Sequence, residues 1–176
     1  GFRYKYPVIQ FKTINKRPVI VGINEGIDIL KHVFVEIEDI KINDSRRRIN
    51  EKSISMCEDK FGEAEEFLDY KFILPWMALN QNNYDEYIQL NKFDQQSFLK
   101  HILRENLKTI SKGFGYEIKK IDGIKVEGLF IKKEIKFKNM TMLCFDGNFM
   151  TNFYIPDYLG IGKQVARGFG TVGKRN

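Results

Sequence analysis

The stretch LGIGKQVARGFGTVGKRN, residues 159–176, holds five glycines, four cationic side chains and no acid. Gly160-Ile161-Gly162 and Gly168-Phe169-Gly170 are separated by five residues, and each glycine pair flanks one apolar side chain. Glycine reaches positive φ without steric cost and lets another backbone come close. Ile161 and Phe169 would then pin each turn to the core, leaving successive amides pointing outward as a nest for oxyanions. Lys163, Arg167, Lys174 and Arg175 would add long-range attraction to a phosphate backbone. The expected chemistry is anion binding by Gly160, Gly162, Lys163, Arg167, Gly168, Gly170, Lys174 and Arg175, on a flexible ribbon that a bound polyanion completes.

Other glycine motifs do not account for the stretch. A phosphate-binding P-loop needs G-x-x-x-x-G-K-[ST], which the chain lacks. Gly168-Phe169-Gly170-Thr171-Val172-Gly173 does satisfy G-x-G-x-x-G. A dinucleotide site also needs a following helix and an acidic residue about 20 positions on, and only Lys174, Arg175 and Asn176 follow. Cys57 and Cys144 have neither a C-x-x-C partner nor a nearby histidine pair, so no zinc site or disulfide framework is expected. The acids show no metal-ligand spacing, and no metal or cofactor is expected. At about 100° per residue, His32 falls away from the Ile27, Leu30 and Phe34 stripe, and His101 falls opposite the apolar side of its helix. Both read as surface histidines, and the sequence leaves the catalytic residues unassigned.

The elements that would position this ribbon follow from hydrophobic period. Phe2 to Thr13 alternates as a strand, a polar turn at Asn15-Lys16-Arg17 follows, and Pro18 to Ile23 supplies a hairpin partner. Asn24 is a candidate cap for a helix carrying Ile27, Leu30 and Phe34, and Glu36 to Ile42 alternates again. Strand, strand, helix, strand is the order of the last four elements of a βαββαβ ferredoxin-like unit, so a first strand and helix are expected upstream of Gly1. Residues 43–69 read as a charged connection, and Arg46-Arg47-Arg48 within it as solvated cations rather than phosphate ligands. Tyr70 to Leu79 reads as a strand with Pro75 at its end or edge. Asp94 is a candidate cap for a helix over Gln95–Lys112 that buries Phe98, Leu99, Ile102, Leu103, Leu107 and Ile110 and stops at Gly113. Strands around Lys125–Lys133, Thr141–Phe145 and Phe149–Ile155 follow, the last two divided by an Asp146-Gly147 turn. The expected class is α+β, as tandem ferredoxin-like domains over residues 1–69 and 70–176.

The whole-chain totals agree with a folded protein that meets an anion. Hydrophobic residues make 43% of the 176 and charged ones 30%, with a net charge of +6 and a pI near 9.2. These are the proportions of an ordinary globular chain, and the positive balance favours a nucleic acid or another anionic partner. No apolar run reaches the roughly 18 residues of a membrane span, so a cytoplasmic protein without membrane attachment is expected. Aromatic residues, 14% of the chain, supply core and stacking surfaces for unpaired bases.

GIGKQVARGFG also matches the C-terminal pattern of the RAMP superfamily, and the chain resembles, within it, the CRISPR-associated endoribonuclease that cuts precursor CRISPR RNA at its repeats. YKYPVIQFK, VIVGINEGIDIL, LPWMALNQNNY and PDYLGIGKQVARGFGTV are similar to segments of that family. The resemblance implies two ferredoxin-like domains with the glycine loop of the second against RNA. It further implies metal-independent cleavage by the ribose 2′-hydroxyl, leaving a 2′,3′-cyclic phosphate, and it allows a homodimer. The family's histidine would lie before Gly1, with Tyr4 and Tyr6 near the cutting site. A guide-RNA binder that does not cut, and a ferredoxin-like protein-interaction module, are the competing readings.

Overall fold

The computed structural model describes residues 5–42, 44–120 and 123–175. Chain order begins with a hairpin of β1 (Ile9–Ile14) and β2 (Arg17–Gly22). Asn15 and Lys16 close it with φ of 50° and 63°, the mirror-image two-residue turn whose twist suits two antiparallel strands. Helix α1 (Gly26–Glu36) follows. Asn24 does not cap it: its φ is 50°, and it offers its carbonyl, not its side chain, to the Ile27 amide at 3.0 Å. A second ribbon pairs β3 (Asp39–Ile42) with β4 (Ser45–Arg48). The first half thus holds the expected order of strand, strand, helix and strand, with an additional strand where a plain connection was expected.

The second half opens with β5 (Gly62–Phe72), ahead of the expected start at Tyr70. Chain then turns through Trp76, which makes a single bridge to Phe145, so the apolar run up to Leu79 is buried without being a strand. Two helices follow, α2 (Gln81–Gln89) and α3 (Lys92–Gly113). The α3 cap is Asn91, whose side chain accepts from the Phe93 and Asp94 amides, and Asp94 sits inside the first turn. Strands β6 (Val126–Phe137) and β7 (Met140–Tyr154) form one long hairpin, closed by Lys138 and Asn139 at φ of 50° and 61°. Asp146-Gly147 therefore makes no turn. Gly147, at φ 148°, lies so close to the Leu129 carbonyl of β6 that a Cβ would collide with it, and β7 runs on through it. The last strand is β8 (Val172–Lys174).

The sheet of the second half runs β6-β7-β5-β8, with every neighbouring pair antiparallel. Its first strand thus sits between its third and fourth, and its second lies at the far edge, which is the ferredoxin-like arrangement. Where a second crossover helix would stand, residues 155–171 form a loop with one 3-10 turn, Val165–Arg167. On the sheet's covered face, α3 buries Leu99, Leu103, Leu107 and Ile110 against Phe130, Phe145, Phe149 and Phe153, each large side chain contributing about 1.5–3 kcal/mol. Gln96 clamps helix to strand, exchanging 2.9 Å hydrogen bonds with both the amide and the carbonyl of Phe130. Trp76 is fully buried, stacked on Phe72 at 5.2 Å, with its indole N–H donating to Asn106.

Candidate nucleic-acid interface

The glycine stretch is an ordered loop whose apolar residues are docked. Ile161, Val165, Leu159 and Val172 are buried, as are Gly160, Gly168 and Gly170, while Gly162 is half-buried. This corrects the expectation of a flexible ribbon with outward amides. The Gly160 amide donates to Gln10 Oε1, Ile161 to Gly170 O, Lys163 to Met77 O, Gly168 to Val165 O and Gly170 to Pro75 O. At the far end, the Lys174 and Arg175 amides donate to Asp157 and Asp69. The glycines serve close packing instead: Gly170, at φ 66°, sits where any Cβ would strike the Ile161 carbonyl. Among the described residues, the amides of Gly162, Gln164, Val165, Ala166, Phe169 and Thr171 make no backbone hydrogen bond, so the free donors reduce to one run, Gln164 to Ala166 at the start of the 3-10 turn, and isolated ones beside it.

The loop is held from the first half by polar side chains of β1 and the segment before it. The Tyr6 hydroxyl donates to Gly160 O at 2.6 Å and accepts from Gln10 Nε2 at 2.8 Å. Lys12 Nζ donates to Gln10 Oε1 at 2.9 Å and to Thr171 Oγ1 at 2.8 Å, and Thr171 Oγ1 donates in turn to Gly168 O. Gln10 and Lys12 are buried while Phe11 between them is exposed, the reverse of what residue type alone implies. Burial without a carboxylate partner lowers the Lys12 ammonium from 10.5 to about 8. Tyr6 is thus a buried anchor of the loop and not a residue open to a substrate; Tyr4 lies outside the described residues. Neither Gln10 nor Lys12 was apparent as a site residue in the sequence. Both share the strand face of Tyr6 and Val8, but Ile9 and Phe11 make the opposite face equally apolar, so the alternation does not say which face turns inward.

The loop's exposed side is cationic and partly aromatic. Lys163 and Arg167 are both exposed, and partial desolvation lowers the Lys163 ammonium below its usual value. The Arg167 guanidinium lies 5.4 Å from the Phe137 ring centroid, and Phe137 meets Phe169 edge-on at 5.2 Å. The tip of the β6–β7 hairpin thereby joins the loop and brings Lys136 and Lys138, both exposed, beside it. Lys174 is exposed, whereas Arg175 is drawn to Asp69 at 3.2 Å. Of the eight expected residues, the structure leaves Lys163, Arg167 and Lys174 exposed, sets Arg167 against Phe137, uses the four glycines as packing, and turns Arg175 toward an acid.

The remaining candidates lie elsewhere. His32 and His101 are exposed, as their helical angles indicate, and neither makes a hydrogen bond or ion pair among the described residues. Arg46, Arg47 and Arg48 are all exposed on β4, Arg46 paired with Asp39 at 2.8 Å. Among the described residues no group of three His, Cys, Asp or Glu side chains is placed to hold a metal ion, and no helix is long and apolar enough to cross a membrane.

Known proteins share both halves and their arrangement. The Cas6b C-terminal domain family matches residues 62–175, starting at the head of β5, and the Cas6b N-terminal domain family matches residues 1–60. The chain belongs to the Cas6b family. A crystal structure of Cas6b is 42% identical and superposes with a TM-score of 0.93 over 99% of this chain and 80% of that one. A second, described as the CRISPR RNA processing endoribonuclease Cas6b, is 39% identical with a TM-score of 0.85 over 97% and 83%. Csf5, a type IV Cas6 crRNA endonuclease, is 10% identical with a TM-score of 0.60 over 97% and 68%, a likeness of fold alone. An uncharacterized protein of Methanocaldococcus jannaschii is 34% identical over 143 residues, 80% of this chain and 95% of its own length. The α+β class and the tandem ferredoxin-like architecture expected from sequence are those of this family.

Proposed function

We propose that this chain binds and processes CRISPR RNA as an endoribonuclease, gripping the repeat along the exposed side of the glycine loop. Membership in the Cas6b family and the likeness to an endoribonuclease of that name support the activity. The observation that carries the binding site is the meeting of Arg167, Phe137 and Phe169, where a guanidinium stands beside two half-exposed rings, with Lys163 exposed four residues earlier on the same loop. Cations neutralise phosphates and release counterions, and aromatic faces stack unpaired bases. Lys163 and Arg167 are the phosphate ligands in this reading, Lys136, Lys138 and Lys174 add field, and the glycines let the loop fold tightly enough to present them.

Cleavage in this reading uses the RNA's own 2′-hydroxyl and needs no metal ion. The sequence assigns neither the group that removes its proton nor the group that protonates the leaving oxygen; His32 and His101 are exposed, His101 within the electrostatic reach of Glu105.

Binding is tested with Lys163→Ala combined with Arg167→Ala. Each lost single-strand phosphate contact should reduce the slope of log affinity against log salt by about 0.7. Arg175→Ala serves as the comparison and should leave the slope alone, because Asp69 already neutralises it. An unchanged slope in the double variant would remove the loop from the interface. Repeat RNA incubated in EDTA should give products with cyclic-phosphate ends, and intact RNA bound at full occupancy would favour the guide-RNA binder that does not cut.

A further inference from the structure

We propose that Lys12 is a positioning residue for RNA binding: its buried, charged ammonium locks the glycine loop in the shape that presents Lys163 and Arg167. This rests on the reading of that loop as the RNA interface. Lys12 is 4% exposed, and its ammonium faces Gln10 on its own strand and Thr171 on the loop, with Val19 opposite it on β2. The titratable groups on the packed elements are Tyr6, reached through Gln10, Lys16 and Arg17 at the hairpin turn, and Lys163 and Arg167 on the loop. No carboxylate stands within ion-pair distance of Lys12 among the described residues.

A charge buried among neutral acceptors opposes folding. Its position explains what it can do instead. From Nζ, one hydrogen bond reaches Thr171, whose hydroxyl holds Gly168 O at the end of the 3-10 turn; the other reaches Gln10, whose amide oxygen also accepts from the Gly160 amide. Both glycine pairs are thereby tied to one ammonium, and the intervening Lys163 and Arg167 are held between fixed ends. A neutral amine donates more weakly than an ammonium, so deprotonation slackens both ties at once. Phosphates bound on the loop add negative potential near Nζ and favour the charged form, so RNA binding and the Lys12 proton reinforce each other.

The test is RNA affinity by fluorescence anisotropy, using single-stranded repeat RNA and the whole chain, from pH 6.5 to 9.5. Lys12→Met keeps the length and removes the charge. At pH 7 it should bind about tenfold more weakly, the loss expected from one hydrogen bond to a charged group. The unsubstituted chain should lose affinity more steeply than the methionine variant as pH passes about 8, the dependence that both share being that of Lys163, whose ammonium is also lowered. Thr171→Val cuts one tie while leaving the charge, and should weaken binding yet keep the steeper loss; it also stands in if the methionine variant does not fold. Equal affinity of Lys12→Met or Thr171→Val and the unsubstituted chain at pH 7, or an equally steep loss with pH in Lys12→Met and the unsubstituted chain, overturns the proposal. Full binding by Lys163→Ala with Arg167→Ala would instead overturn the RNA reading of the loop, which keeps the two failures apart.

Discussion

The buried Lys12 makes a quantitative statement about folding with no RNA present. Its ammonium moves from 10.5 in a solvated chain to about 8 in the folded one, and burial is the cause. At 1.36 kcal/mol for each factor of ten in proton affinity, holding the charge inside costs roughly 3 kcal/mol. The sign follows from which state binds the proton. Below about pH 8 both states carry it and the whole cost is present; between about 8 and 10.5 the folded chain releases it first, so the unfolded chain binds more protons and stability rises with pH. Other groups titrate in that range, so the informative quantity is the unfolding free energy of the unsubstituted chain minus that of Lys12→Met. This difference should climb by roughly 3 kcal/mol from pH 7 to pH 10.5. Urea unfolding read by the fluorescence of Trp76, the chain's one tryptophan and fully buried, measures it. A flat difference would mean the ammonium is solvated, and a falling one would mean that an anion stabilises it.

Two further substitutions test the packing described above. Gly170→Ala forces a side chain into the left-handed region and against the Ile161 carbonyl; it should cost about 3 kcal/mol, seen as a lower urea midpoint. Asn91→Ala removes the side chain that accepts from the first amides of α3 and should cost about 1 kcal/mol in the same measurement.

Where burial followed residue type, the elements could be read directly. Helix α3 announces itself because its apolar period of 3.6 matches the face it buries, whereas the β1–β2 hairpin is marked by its Asn15-Lys16 turn and its β-branched runs and not by the face it buries, which carries Gln10 and Lys12. Other elements hide for stateable reasons. Strand β5 reads as a charged linker because its register shifts between Glu63 and Leu68, which breaks the alternation, and Glu65 and Glu66 face solvent. Helix α2 buries only Tyr87 and so shows no stripe; its start is marked by a reciprocal Asn80–Asn83 cap rather than by apolar spacing. Asp146-Gly147 has the composition of a turn, but its glycine answers to a close strand-to-strand approach. At the site, the family pattern of glycines was legible, and so was the exposure of Lys163 and Arg167. The direction of the amides was not, because it depends on Pro75, Met77 and Gln10, acceptors distant in sequence. Lys12 was hidden by its own type, since an isolated lysine in a strand ordinarily points outward.

The latch of Tyr6, Gln10 and Lys12 on the loop also bears on how such chains can diverge. The second half completes its own sheet, yet its glycine loop is tied down by side chains that the first half donates. A hybrid joining residues 1–60 of one relative to the remainder of another would therefore inherit a working grip only if the incoming strand brought a matching lysine and glutamine.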